Sequence, residues 1–196
     1  MHEISFSRRV PPDDTHERPV CNHCEYVAYE NPKIVVGAVC SFEGRVLLAR
    51  RDIEPRRGFW TIPAGFMELG ETTQQGAARE VREEVCCEVE IGSLLACYSI
   101  PRIGQVLMIY RGQMPSAQHA PGDETSETKL VAFDEIDWDE LAFPSVRWAL
   151  RDWRDLSGED DFAPRSVPDG VVHQPLPKTG PLPNTGPLPA SDAEVV

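Results

Sequence analysis

Three glutamates, Glu80, Glu83 and Glu84, stand at spacings of three and four residues within the segment 65–87, GFMELGETTQQGAAREVREEVCC. At about 100° per residue this spacing gathers them on one side of a helix, while Ala77, Ala78, Val81 and Val85 fall on another. Carboxylates a turn apart repel one another and weaken a helix unless a positive charge sits among them. Arg79, four residues before Glu83, offsets part of that repulsion. Taken alone, the cluster reads as an acidic face in solvent. The glycine-bounded loop Gly65 to Gly70 changes that reading, because it lets backbone approach a ligand closely and offers carbonyl oxygens beside the carboxylates. A hard divalent ion, Mg²⁺ or Mn²⁺, is the partner this chemistry selects, since carboxylate oxygens fill some of its positions and water and phosphate the others.

The elements that must position this cluster follow from pattern. Thr72 and Gln75 have the spacing of a capping box, so a helix is predicted over 73–85. Aliphatic and β-branched runs at 34–42 and 45–51, separated by Glu43-Gly44, predict a hairpin. Further strands are predicted at 89–100, 105–113 and 129–133, and a second helix at 145–156. Strands and helices mix without regular β-α-β alternation, which favours an α+β fold with a mixed sheet between helices. Three segments result: an N-terminal arm at 1–32, a folded domain at 33–156 and a proline-rich tail at 157–196. Residues 1–20 are polar and hold Pro11, Pro12 and Pro19, so loop is expected there. The tail carries eight of the 18 prolines and the repeat PLPKTG, PLPNTG, and is expected to be disordered.

Composition narrows the function classes. With 196 residues the chain has room for one domain and appendages. Its 32 acidic and 19 basic residues give a formal charge of −13, which disfavours nucleic acid and anionic membranes as partners. No apolar run approaches the roughly 20 residues of a membrane span, and the first 20 residues lack a signal-peptide core, so a cytoplasmic location is expected. In that compartment the six cysteines stay reduced.

The segment resembles the Nudix box, G-x5-E-x7-R-E-U-x-E-E-x-G-U with U aliphatic: Gly65, Glu71, Arg79, Glu80, Val81, Glu83 and Glu84 all match. Cys86 stands where the motif has glycine and Cys87 where it has an aliphatic residue. The resemblance spans residues 20–155 and implies an α/β/α sandwich that hydrolyses, with Mg²⁺ or Mn²⁺, a nucleoside diphosphate linked to another group. By that resemblance Glu80 and Glu84 are the main metal ligands, with Glu83 a further ligand or the residue that polarises the attacking water. Glu71 and Arg79 hold the loop against the helix. One more carboxylate is expected from a later loop or strand, Glu127 first and Glu124 second. Arg50, Arg51, Arg56 and Arg57 form the densest basic cluster, and phosphate or ribose contact competes with solvated hairpin charge as their role. Gly65 leaves room for substrate, and Phe59, Trp60 and Phe66 either stack a base or belong to the core.

Cys21-Asn-His-Cys24 has the spacing of half a zinc ribbon, which needs four thiolates or imidazoles to close around Zn²⁺. Similar proteins of the ADP-ribose, FAD and NADH diphosphatase branch carry an earlier pair as well. Here His2 stands near its place, leaving open a decayed ribbon, an upstream start or an irregular site. The resemblance implies ADP-ribose or FAD as substrate with release of AMP, and a homodimer. NADH or another dinucleotide, and a non-catalytic nucleotide-sensing domain, are the alternatives.

Overall fold

Two segments of this chain behave differently on either side of Pro32, where it divides into two units. The computed structural model describes residues 4–171. His2 and the PLPKTG/PLPNTG repeat lie outside the described residues.

In the first unit, strands β1 (Phe6–Arg9) and β2 (Arg18–Cys21) pair antiparallel, Phe6 opposite Cys21 and Arg9 opposite Arg18. The stretch expected to be loop is therefore a hairpin. The polar, proline-bearing residues between the strands form its connection, with Asp13 at φ 64°. Asp14 closes it: its carboxylate accepts from the Thr15 and His16 amides (2.6 and 3.1 Å) and from Arg18 Nε (3.0 Å). Strand periodicity does not reveal β1, since all four of its residues are exposed.

The second unit carries β3 (Lys33–Phe42), β4 (Arg45–Arg51), β5 (Trp60–Thr61), β6 (Ala64–Phe66), α1 (Thr73–Val85), β7 (Glu90–Ile100), β8 (Gln105–Gln113), β9 (Thr125–Val131) and α2 (Pro144–Asp155). The main path of the sheet runs β5-β4-β3-β8-β7, with β6 on β3 and β9 on β4. β3 and β8 run parallel and the other pairs antiparallel, so the sheet is mixed. Glu43 (φ 47°) and Gly44 (φ 76°) make the two-residue β3–β4 turn, both central residues having the positive φ that matches strand twist. After two register pairs at that turn β3 parts from β4, and β6 takes its flank from Val35 to Gly37.

Both faces of the sheet are covered, which is why β3 and β4 read as unbroken apolar runs. Val36, Ala38, Cys40, Leu47 and Ala49 pack with Ala77, Val81 and Val85 of α1. Val39, Val46 and Leu48 pack on the opposite side with Trp148, Ala149 and Leu150 of α2. The result is the expected helix-sheet-helix sandwich. β9 starts at Thr125, earlier than its aliphatic residues suggest, because its first half pairs through polar residues, Glu127 opposite Arg50 and Thr125 opposite Arg51.

Residues 157–171 depart from the expected disordered tail. Arg165 bridges to the outer edge of β7, accepting from the Cys97 amide (2.8 Å) and donating to the Leu95 carbonyl (2.9 Å). Phe162, Val167 and Val171 pack on the α2-side core, and the Arg111 guanidinium lies 4.3 Å from the Phe162 ring centroid. Sparse apolar residues without periodicity were enough to dock this segment, because each finds a site on an already formed core.

Candidate active site

The start of α1 is built as its sequence predicts. Thr72 accepts from the Gln75 amide (3.2 Å), and the Gln75 side chain accepts from the Thr72 amide (2.8 Å). Thirteen residues later the helix ends at Cys86, held in the left-handed region at φ 46°. The glycine of the box pattern would occupy this conformation freely; Cys86 occupies it with a side chain exposed rather than in the core.

Arg79 organises the carboxylates around itself. Its Nε and Nη2 grip both oxygens of Glu71 (3.0 and 2.8 Å), Nη1 reaches Glu80 (2.7 Å) and Glu83 (2.9 Å), and Nη2 also donates to the Phe66 carbonyl (3.0 Å). Glu71 additionally accepts from the Glu68 amide (2.7 Å). With Arg79 first and that amide second, its pKa is held down to about 2. The loop is thereby locked to the helix through a planar bidentate pair. Arg79 does more than sequence spacing suggests, bridging the two glutamates that would otherwise repel.

Glu80 and Glu84 occupy a different environment. Glu80 is 8% exposed and sits under Gly65, where a Cβ would stand 2.3 Å from its Oε2. Burial raises its pKa and Arg79 opposes the rise. Glu84 accepts from the Ala64 amide (3.1 Å), yet burial, reinforced by Glu80, lifts it to about 8. Two neighbouring carboxylates, one buried and one half-buried, that resist ionising are what a site for a cation looks like before its cation is counted. Glu83 is mostly exposed and tied to Arg79. Among the described residues no three His, Cys, Asp or Glu side chains converge on one point. Arg79 holds Glu71, Glu80 and Glu83, and burial sets Glu80 and the half-buried Glu84 apart as the inner pair. Their hard oxygens and the close glycine fit Mg²⁺ or Mn²⁺.

Of the two later carboxylates, Glu124 is the one whose charge acts on Glu80, Glu84 and Arg51. Glu127, first in the sequence reading, instead meets Arg50 at 3.3 Å across the β4–β9 pairing. Glu127 lies within β9, whereas Glu124 sits on the loop before it.

The arginine cluster separates by position. Arg51 donates to the Pro55 carbonyl (2.8 Å) and feels Glu84, Glu124 and Glu54, whose charges oppose the loss of proton affinity that its burial causes. Arg50 donates to the Gly58 carbonyl (2.8 Å), and Arg57 pairs with Asp52 (2.7 Å). Arg56 is 2% exposed, its guanidinium 3.5 Å from the Phe59 ring centroid. Only Arg51 of the four is brought to the carboxylates. Trp60 is buried beneath Lys129 and belongs to the core, whereas Phe66 is half exposed with the Lys33 ammonium 4.9 Å from its ring centroid.

In the first unit Cys21 is buried and Cys24 exposed, and the Cys24 and His23 amides point at the Cys21 sulfur, lowering its pKa. Amides aimed at a thiolate suit a metal knuckle, and this one supplies two of the four donors that zinc needs.

Residues 30–152 match the NUDIX domain family. The chain belongs to the Nudix family. Residues 5–30 match the Nudix N-terminal family, a zinc ribbon. This Nudix chain is similar to a NUDIX hydrolase from Nitrosomonas europaea, with 40% identity and a TM-score of 0.78, covering 83% of this chain and 93% of that one. An ADP-ribose pyrophosphatase of Methanocaldococcus jannaschii is 28% identical over 123 residues, 61% of this chain and 72% of the relative. An NAD-capped RNA hydrolase, NudC, of Edwardsiella ictaluri is 30% identical over 119 residues, 61% of this chain but 43% of the relative. This chain is accordingly a Nudix pyrophosphohydrolase. Among the described residues no helix is long and apolar enough to cross a membrane.

Proposed function

We propose that this Nudix hydrolase cleaves the pyrophosphate bond of a nucleoside diphosphate linked to another group, ADP-ribose or FAD, and releases AMP. The observation that carries the reading is the Glu80–Glu84 pair, Glu80 buried and Glu84 half-buried, with the charges of Glu124 and Arg51 acting on Glu84. The likeness to an ADP-ribose pyrophosphatase over 123 residues supports the choice of substrate. The likeness to NudC gives a second reading, an NAD-type dinucleotide.

In this reading Glu80 and Glu84 would hold the divalent ion, with Glu124 as the further carboxylate acting on them. What such an ion supplies is neutralisation of charge on phosphoryl oxygens and a lower pKa for water. Arg51 holds the pyrophosphate by a phosphate oxygen, and Glu83, on the solvent side of Arg79, accepts the proton of the attacking water. Water adds to one phosphorus and the bridging P–O bond breaks, so ADP-ribose yields AMP and ribose 5-phosphate. Arg79 and Glu71 keep the 65–70 loop seated while this occurs, and Gly65 leaves the ligand room above Glu80.

The test is a substrate panel of ADP-ribose, FAD, NADH and dNTPs, each with and without Mg²⁺. AMP release from ADP-ribose or FAD that disappears in Glu84→Gln is the expected result. Preference for NADH selects the second reading, and no turnover of any of them overturns the enzymatic one in favour of a nucleotide sensor.

A further inference from the structure

The segment between β8 and β9 ends on Glu124, and two of its amides are committed to the exit of α1. The Ala120 amide donates to the Val85 carbonyl (3.0 Å) and the Gly122 amide to the Glu84 carbonyl (2.9 Å). These carbonyls belong to the last turn of a helix, which has no partners of its own to offer them. Gly122 lies so near that a Cβ there would stand 1.8 Å from the Glu83 carbonyl oxygen and 2.9 Å from its carbon. Its φ lies outside the left-handed region, so space alone, not backbone conformation, calls for glycine. The Gly122 carbonyl then accepts from the Thr125 amide (3.1 Å), closing a turn with Asp123 and Glu124 at its centre. On the far side the Glu124 carbonyl accepts from the amide of Asp52 (2.9 Å), the residue after Arg51.

We propose that Gly122 is a positioning residue: by seating the 122–125 turn directly on the Glu83 and Glu84 carbonyls, it sets where the Glu124 carboxylate stands relative to Glu80 and Glu84. The inference rests on the reading of Glu80 and Glu84 as divalent-ion ligands. One short contact thus ties three parts of the site, because the helix bearing two carboxylates, the turn bearing a third and the end of β4 bearing Arg51 share the same hydrogen-bonded junction. Any side chain at 122 must part the turn from the helix by about 1 Å, a displacement large enough to matter at a ligand set.

The test measures Mn²⁺ binding to the full chain by titration calorimetry and by loss of the free-ion EPR signal, with no nucleotide present. Gly122→Ala and Glu124→Gln are each expected to weaken binding by about tenfold, and the double variant to be no weaker than Glu124→Gln alone. Gly92→Ala, whose added Cβ meets only an ordinary contact at 3.6 Å, should bind as the parent does. Parental binding in Gly122→Ala, parental binding in Glu124→Gln, or full additivity in the double variant overturns the proposal. Should Gly122→Ala fail to fold, Pro121→Gly loosens the same turn without adding atoms to the contact. It is expected to weaken Mn²⁺ severalfold when Glu124 is present and not when it is glutamine, and equal effects in both backgrounds overturn the proposal. A parent whose Mn²⁺ binding depends on Gly122 yet which releases AMP from no substrate defeats the enzymatic reading and leaves this one standing; a parent that binds no Mn²⁺ defeats both.

Discussion

Glu84 makes a sharp prediction about pH. Burial lifts its pKa from an ordinary 4.5 to about 8 in the folded chain. A group raised on folding contributes stability that is present below its unfolded pKa and lost as pH rises through the folded one. Between those two values the native state holds a proton that the unfolded state has released, so stability falls as pH rises. Comparing pH 5.5 with pH 8.5, this one group should cost the wild type about 3 kcal/mol relative to Glu84→Gln, whose neutral amide does not titrate. The assay is urea unfolding of both proteins in EDTA at the two pH values. The difference between wild type and variant isolates Glu84 from the general self-repulsion of a chain carrying −13 charges. Glu80, raised in the same direction, is present in both proteins, and because its charge acts on Glu84 the difference reports Glu84 together with its coupling to Glu80. Saturating Mn²⁺ should erase the effect, since a ligated carboxylate no longer holds a proton. A wild type that keeps the same margin over Glu84→Gln at both pH values in EDTA would refute the argument, and with it the claim that burial rather than hydrogen bonding governs this carboxylate.

Further outcomes follow from the site. Glu124→Gln should lower kcat at least tenfold at fixed Mg²⁺, while Glu127→Gln, whose partner is Arg50, should stay within about twofold in the same assay. Arg79→Lys cannot reproduce the bidentate grip on Glu71 or reach Glu80 and Glu83 together, and steady-state kinetics should show kcat down by about 10- to 100-fold. Cys86→Gly removes a side chain from a left-handed position and should raise the urea midpoint by about 1 kcal/mol of stability, with an unchanged m value and unchanged turnover.

Much of this arrangement is written locally. Helix α1 is legible from its capping box and its Ala77, Val81, Val85 stripe, and the β3–β4 hairpin from Glu43-Gly44 between two apolar runs, because those signals lie within a few residues of what they specify. The box glutamates and Arg79 are legible for the same reason. What escapes a one-dimensional reading is decided by partners far along the chain. That Glu127 stands opposite Arg50 is evident only once β9 pairs with β4. Among four neighbouring arginines, Arg51 is singled out by Glu84 and Glu124, which lie 33 and 73 residues away by number. The packing role of Gly122 is not legible until the carbonyl of Glu83 is found against it. The β1–β2 hairpin and the docking of residues 157–171 were hidden by composition: prolines and charges mark both as irregular, while single contacts from Asp14, Phe162 and Arg165 order them.

The bridge made by Arg165 has a bearing on solubility. β7 is eleven residues long and lies at one end of the main path of the sheet, where an unguarded row of amides and carbonyls invites another chain to add to it. Nature's usual safeguards there are brevity, bulges or a cover, and this strand uses the last two: its register slips twice between Ile91 and Ala96, and the strap settles over Leu95 to Cys97. A fragment cut at residue 156 would keep every residue of the site yet expose an adhesive border and gain a tendency to self-associate.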